Sequence, residues 1–326
     1  MAYDVTVIGD ERYRELMKDL SDDRLHSSKA DINGICVELY TESRNHIEMW
    51  NDNFYSMSDR VRPHARLYCL QDGSGLHVEY HVSTRTLFLF DFDYYGWIKS
   101  IALGVAGNIL EDNENVFSIH GAALDIDGRG VTLIAPSKTG KTTQSWGLLR
   151  MPNSRLITDD WFFIDCGPSR PRAHGSEKNC YIDADIGDVW EEYRELVDLV
   201  EFDNKGRGIG NVRWITGAGS VVAETSLQYV ILLKRDRNDQ NVVTRMDADD
   251  ALAYLRENDY CNPHQLVRDG YRFDRRGDMF RSVLSVCEVY LVNTILPAEK
   301  TQQVVRAIVE GRTYDDVRAL AESLRA

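Results

Sequence analysis

The chain has 326 residues, of which 43% are hydrophobic and 28% charged, with a formal net charge of −14. That length allows one large or two ordinary domains with proper cores, and the composition is that of a soluble globular protein. Such acidity argues against a nucleic-acid binder, which must neutralise phosphates with Lys and Arg.

No stretch approaches the roughly 18 apolar residues of a membrane span. No basic segment followed by an apolar run appears after Met1-Ala2-Tyr3-Asp4, so a cytoplasmic protein without membrane contact is expected. Cys36, Cys69, Cys166, Cys180, Cys261 and Cys287 form no Cys-x-x-Cys pair and read as reduced thiols.

In chain order, residues 1–105 read as an accessory α+β domain. Ile35–Tyr40 is strand-like, and His64–Leu70 with Leu76–Val82 is expected to form a hairpin about Asp72-Gly73-Ser74-Gly75. Thr86–Phe90 is a further apolar strand. A helix follows from Tyr95 to Leu110, with Ile98, Ile101, Ala102, Val105 and Ile109 on one face. Phe88, Phe90, Phe92, Tyr94, Tyr95 and Trp97 alternate or recur at helical spacing, which is how aromatics fill a core rather than form a ligand platform.

The strand-like run Gly130–Ile134 leads into Ala135-Pro136-Ser137-Lys138-Thr139-Gly140-Lys141-Thr142-Thr143 and then a segment able to start a helix. Strand, tight loop and helix start form a phosphate cradle. Backbone N–H groups and the positive end of the helix converge on an anion, so Ser137, Lys138, Thr139, Gly140, Lys141, Thr142 and Thr143 are the candidate nucleotide-binding residues. Lys141 supplies a mobile charge and Thr142 a hydroxyl for a magnesium ion. Ala135 stands where such loops usually open with glycine.

His120 lies in Phe117–Ala123, ahead of the loop. Arg155–Thr158 reads as a short buried strand ending in Asp159-Asp160. Carboxylates at the end of such a strand emerge near the loop. There, one holds a metal and the other accepts a proton from an attacking hydroxyl.

Next come a strand at Trp161–Ile164, a Pro/Arg/Gly-rich loop from Gly167 to Gly175, and a helical pattern from Val189 to Phe202. Asp203–Arg213 is glycine-rich and basic, and is expected to be irregular. It is read either as a solvated loop or as a lid whose arginine clamps the γ-phosphate, with Arg207 first and Arg213 second. Tyr229–Leu233 is a strand, Asp247 caps a helix running to Glu257, and Val286–Thr294 is a strand. Helices after Pro297 (Val304, Val305, Ile308, Val309) and at the end (Val317, Leu320, Leu324) are expected to serve as scaffold or oligomer contacts.

His120-Gly121, a glycine-bounded strand, the loop around Lys141 and a strand ending in Asp159-Asp160 together resemble the HPr kinase/phosphorylase and phosphoenolpyruvate carboxykinase superfamily. The resemblance spans roughly residues 115 to 190 and continues weakly through Tyr229–Leu233. It implies an α/β chain, α+β overall, with a P-loop kinase domain over 106–326. It further implies ATP and Mg2+ as cofactors, with Lys141 on the β- and γ-phosphates, Thr142 on the metal, and Asp160 at the chemistry. Asp160 stands one residue further from Lys141 than in typical HPr kinases, so Asp159 stays open as the alternative. Asn179-Cys180-Tyr181-Ile182-Asp183 is similar to the Gly-Cys-Tyr-Ala-Lys of the carboxykinases, but the lysine position is Asp183, read here as a metal or acceptor contact.

The leading expectation is an ATP-dependent kinase acting on a hydroxyl of a protein, a peptide or a small metabolite, with His120 assisting the base. A carboxykinase-like lyase and a non-catalytic nucleotide-sensing regulator are the alternatives. The resemblance also brings in enzymes that run the transfer in reverse, and a homo-oligomer as a family-level expectation.

Overall fold

The computed structural model describes residues 3–20, 24–167, 169–262 and 264–325. Met1, Ala2 and, within the Gly167–Gly175 loop, Pro168 lie outside the described residues. The protein is mixed α/β and divides into two compact units. The first comprises Met1–Asn115, Ser176–Asn179 and His264–Val267; the second comprises Val116–Gly175, Cys180–Pro263 and Arg268–Ala326.

The first unit runs β1 (Asp4–Val7), α1 (Asp10–Asp19), β2 (His26–Ile32), β3 (Ile35–Thr41), α2 (Arg44–Asn53), β4 (Tyr55–Ser56), β5 (Ala65–Leu70), β6 (His77–His81), β7 (Thr86–Phe90) and α3 (Tyr95–Glu114). Its sheet has the order β1-β6-β7-β5-β3-β2-β4. The expected hairpin of β5 with β6 does not form, because β7 lies between them, parallel to β5 and antiparallel to β6. All five residues of β7 are buried, so the most apolar strand takes a place with a neighbour on each side. The turn-prone link is instead gathered onto Asp91, whose carboxylate accepts from the N–H groups of Asp72, Gly73 and Gly75.

Helix α3 is buried on more than the expected stripe, since Lys99, Gly104, Asn108 and Glu111 are buried alongside Ile98, Ile101 and Val105. Lys99 is tolerated there because its Nζ meets Glu177 Oε1 at 2.9 Å. Asn53 Nδ2 donates to the same oxygen, and Tyr95 OH donates to Asn53 Oδ1. A buried charge survives when it is paired and fully hydrogen-bonded.

The second unit begins with β8 (Phe117–Ile126), β9 (Arg129–Ile134), α4 (Lys141–Leu149), β10 (Ser154–Thr158), β11 (Trp161–Asp165) and β12 (Arg172–Gly175). It continues with β13 (Cys180–Asp183), α5 (Ile186–Val189), α6 (Arg194–Asp198), β14 (Arg207–Gly210), α7 (Arg213–Thr216) and β15 (Glu224–Lys234). The last elements are β16 (Val243–Met246), α8 (Ala248–Glu257), α9 (Gly270–Leu284), β17 (Glu288–Asn293), α10 (Ala298–Val309) and α11 (Tyr314–Arg325).

Its main sheet is mixed. β9 runs parallel to β15 and β15 parallel to β17, while β8 is antiparallel to β9, β10 and β11. Successive strand side chains face opposite ways, and the two faces carry separate cores. Val131 and Leu133 of β9, with Tyr229, Ile231 and Leu233 of β15, pack with Trp146 of α4 and with Val304, Val305 and Ile308 of α10. Ile134, Val230 and Leu232 pack on the other face with Leu252 and Leu255 of α8 and Met279 and Phe280 of α9.

Two expectations change in this unit. Val189–Phe202 is not one helix but α5, a 3-10 turn at Glu191–Tyr193 and α6. Asp203–Arg213 is irregular only in part: Arg207–Gly210 form β14, which pairs antiparallel with β13, with Arg207 opposite Asp183. Its glycines serve close approach. A Cβ on Gly208 would lie 2.5 Å from Val200 Cγ1 and 2.6 Å from Glu201 O.

Candidate active site

The loop after β9 folds as strand, turn and helix. Its left-handed residues are Lys138 (φ 67°) and Gly140 (φ 95°), whereas Ala135 has no positive φ and is fully buried. Alanine in place of glycine at the loop's opening therefore carries no backbone strain. Ser137 and Lys138 are exposed, Thr139 is buried, and Lys141, Thr142 and Thr143 are partly exposed at the start of α4. Gly140 is the N-cap and has no side chain to accept from the first helical N–H groups. Those donors and the helix dipole are directed at whatever occupies the loop mouth.

Two threonines hold the loop in shape. Thr139 Oγ1 donates to Pro136 O at 2.7 Å, and Thr294 Oγ1, just beyond β17, donates to Thr139 O at 2.6 Å.

Lys141, His120 and Asp160 meet at one oxygen. Asp160 Oδ1 is 2.9 Å from Lys141 Nζ and 3.2 Å from His120 Nε2. The meeting is a consequence of strand register: His120 is opposite Trp161 in the β8–β11 ladder, and Gly121 N donates to Asp160 O at 2.9 Å. The other ring nitrogen of His120, Nδ1, lies 3.0 Å from the carbonyl of Cys261.

Asp159 and Asp160 are adjacent yet unlike. Asp159 is buried and accepts from Trp146 Nε1 at 3.3 Å, whereas the Asp160 side chain is 32% exposed and faces Lys141 and His120. The adjacent carboxylates thus separate into an anchored group and an accessible one.

Asp183, at the end of β13, bonds Arg207 Nε at 2.5 Å. Burial raises its carboxyl above the usual range against the pull of Arg207; Asp185 and Asp159 push the same way as burial, so Asp183 lies within electrostatic reach of Asp159. Arg207 is thereby tied to a carboxylate on a ladder, and Arg213 opens α7 with its backbone N–H on Asn211.

Among the described residues no group of three or more His, Cys, Asp or Glu side chains is arranged as a metal cage. Magnesium commonly keeps waters and takes one or two carboxylates plus substrate phosphates. Of Thr142, Asp160 and Asp183, the residues expected from the sequence to contact a metal, Asp160 is paired with Lys141 and His120 and Asp183 with Arg207.

Several neighbours of the site had no signal in the sequence. Cys261 is buried and its thiol is pushed up to about 12 by burial, opposed by the nearby ammonium of Lys141, so it stays a neutral thiol. Arg235, immediately after β15, donates from Nε to Thr294 Oγ1 at 3.1 Å. Its Nη2 lies 3.1 Å from where a Cβ on Gly140 would be, so a guanidinium overhangs the loop. At the other end of α4, an open cavity of about 800 Å³ is lined by Arg150, Asn153, Arg155, Glu192 and Tyr193, and shares no lining residue with this site.

No protein-family model matches the chain. An HPr kinase/phosphorylase from Lactobacillus acidophilus is 32% identical over 116 residues, which are 36% of this chain and 30% of that protein. The chain thus matches less than a third of the length of that curated relative. A structure of the Hpr(Ser) kinase/phosphatase from Coxiella burnetii aligns over 59% of this chain and 96% of its own, with 14% identity and a TM-score of 0.34. Over those 116 residues the chain is similar in sequence to an HPr kinase/phosphorylase.

Proposed function

We propose that this protein is an ATP-dependent kinase that transfers the γ-phosphoryl group of Mg-ATP to a hydroxyl of a protein, a peptide or a small metabolite. The observation that carries this reading is the shared oxygen of Asp160, held by the loop lysine on one side and an imidazole on the other. Similarity to an HPr kinase/phosphorylase points the same way.

Phosphoryl transfer needs little covalent chemistry from the protein and depends on alignment and charge neutralisation. The uncapped start of α4 and the loop N–H groups would receive the phosphates. Lys141 would leave Asp160 for the β- and γ-phosphate oxygens, since a phosphate tail offers more negative charge than one carboxylate. Thr142 and Asp183 would flank the magnesium ion that the nucleotide brings. Asp160, released from the ammonium, would take the proton of the acceptor hydroxyl as the new O–P bond forms and the bond to the leaving phosphate oxygen breaks. Asp159 would stay in the wall, held by Trp146.

Two measurements test the reading. Titration calorimetry with ATP and magnesium should give saturable heat. Incubation with γ-labelled ATP, magnesium and cell extract, followed by mass spectrometry, should identify a hydroxyl that gains phosphate. Absence of heat would exclude nucleotide binding, whereas binding without any labelled product would favour a nucleotide sensor.

A further inference from the structure

Asp259, Tyr260 and Cys261 are three consecutive residues with left-handed backbone, at φ 51°, 52° and 55°. Residues with side chains avoid that region, and runs of them are rarer still. Strain of this kind persists only where the surroundings impose it, and it gathers at functional sites.

The surroundings here are specific. Cys261 N donates to Asn258 O at 2.8 Å and Asn262 N to Asp259 O at 3.1 Å, which closes the turn. The buried Tyr260 ring is stacked on Phe280, with centroids 5.3 Å apart, and its hydroxyl donates to Phe273 O at 2.9 Å. Gly277 of α9 makes room, since a Cβ there would be 3.1 Å from the Tyr260 hydroxyl oxygen. Arg268 pairs with Asp259 at 2.5 Å.

The turn delivers the Cys261 carbonyl to His120 Nδ1, across 141 positions of sequence. A carbonyl only accepts, so the ring proton must sit on Nδ1, and the hydrogen bond at one ring nitrogen decides the state of the other.

We propose that the left-handed turn Asp259–Cys261 is a positioning device for His120. It holds the imidazole proton on Nδ1 and so makes Nε2 the only ring nitrogen able to share a proton with Asp160. The inference deepens the kinase reading and rests on it. During transfer, the acceptor hydroxyl would lose its proton to the Asp160 carboxylate, and that proton could pass to Nε2. This leaves an imidazolium beside a restored carboxylate, while the Nδ1 proton does not move. Tyr260 and Cys261 act through His120 and touch no substrate.

The test is nitrogen-15 NMR of histidine-labelled protein, with the His120 signals assigned by their loss in His120→Gln. At a pH where the ring carries one proton, the expected spectrum has that proton on Nδ1; a proton on Nε2 would overturn the proposal. Tyr260→Phe removes the hydroxyl that donates to Phe273 O and accepts from Arg256. It is expected to let the two tautomers of His120 exchange, with Mg-ATP affinity within about twofold of wild type. An unchanged single tautomer in that variant would equally overturn it. The tautomer is read without turnover, so failure of the kinase reading, seen as wild-type protein that binds no ATP, is a separate result.

Discussion

Asp160→Asn should separate nucleotide binding from chemistry. Asparagine keeps the size of the side chain and an oxygen for Lys141 at 2.9 Å, but loses the charge and the ability to hold a proton. With 32% of the carboxylate side chain exposed, solvent screens its pairing with Lys141, which is then worth at most about 1 kcal/mol. Freeing the ammonium should therefore tighten ATP binding by no more than about fivefold. Loss of a positioned proton acceptor should slow transfer by about 10²–10⁴, equivalent to roughly 3–5 kcal/mol of barrier. Calorimetry with Mg-ATP and single-turnover label transfer would read the two effects separately. Turnover within tenfold of wild type, or ATP binding weakened more than tenfold, would refute the assignment and recast Asp160 as a metal or binding group.

Arg235→Ala should weaken Mg-ATP binding by about tenfold, the loss of one screened charge-assisted hydrogen bond, with Arg235→Lys intermediate; equal affinities by calorimetry would remove Arg235 from the site. Asp125 is held below the usual carboxylate range: burial raises it, but Arg155 at 2.6 Å, the Thr225 hydroxyl at 2.7 Å and Gly128 N at 3.1 Å outweigh burial. A carboxyl depressed in the folded state gives stability that is present above its unfolded value, about 3.9, and is lost as pH falls through the folded value. Asp125→Asn should therefore flatten the acid limb in urea unfolding at stepped pH, and a limb parallel to wild type would refute this. Lys99→Met strands the buried Glu177 carboxylate and should cost about 3–5 kcal/mol. The double variant Lys99→Met/Glu177→Gln should recover much of that loss, and a double variant as unstable as the single would count against the pair.

Much of the second unit was legible because its signals are local. Gly130–Ile134 alternates between two cores, the following loop needs left-handed residues that Gly140 can supply, and Asp247 caps α8 through the N–H groups of Asp249 and Asp250. Glycines misled where they serve packing: those of β14 look like a flexible lid, yet Gly208 and Gly210 are there because Val200, Glu201 and Ile182 leave no room for a Cβ. The β5–β6 hairpin was misread for a related reason. A turn-prone link shows that the chain reverses, but strand partners are set by the burial available across the sheet, and β7 took the place between them.

By itself the sequence determined the strand–loop–helix unit, the pair of acids and the lysine, since each depends on neighbours a few residues away. Tertiary structure decided which acid faces the lysine, because only packing puts Trp146 on Asp159 and leaves Asp160 accessible. It also decided where the histidine points, through the β8–β11 register and a carbonyl from a turn that contains no glycine to announce it. Orientation of a side chain is a long-range property: it comes from ladders and cores that close between segments far apart in the chain, and no local pattern encodes it.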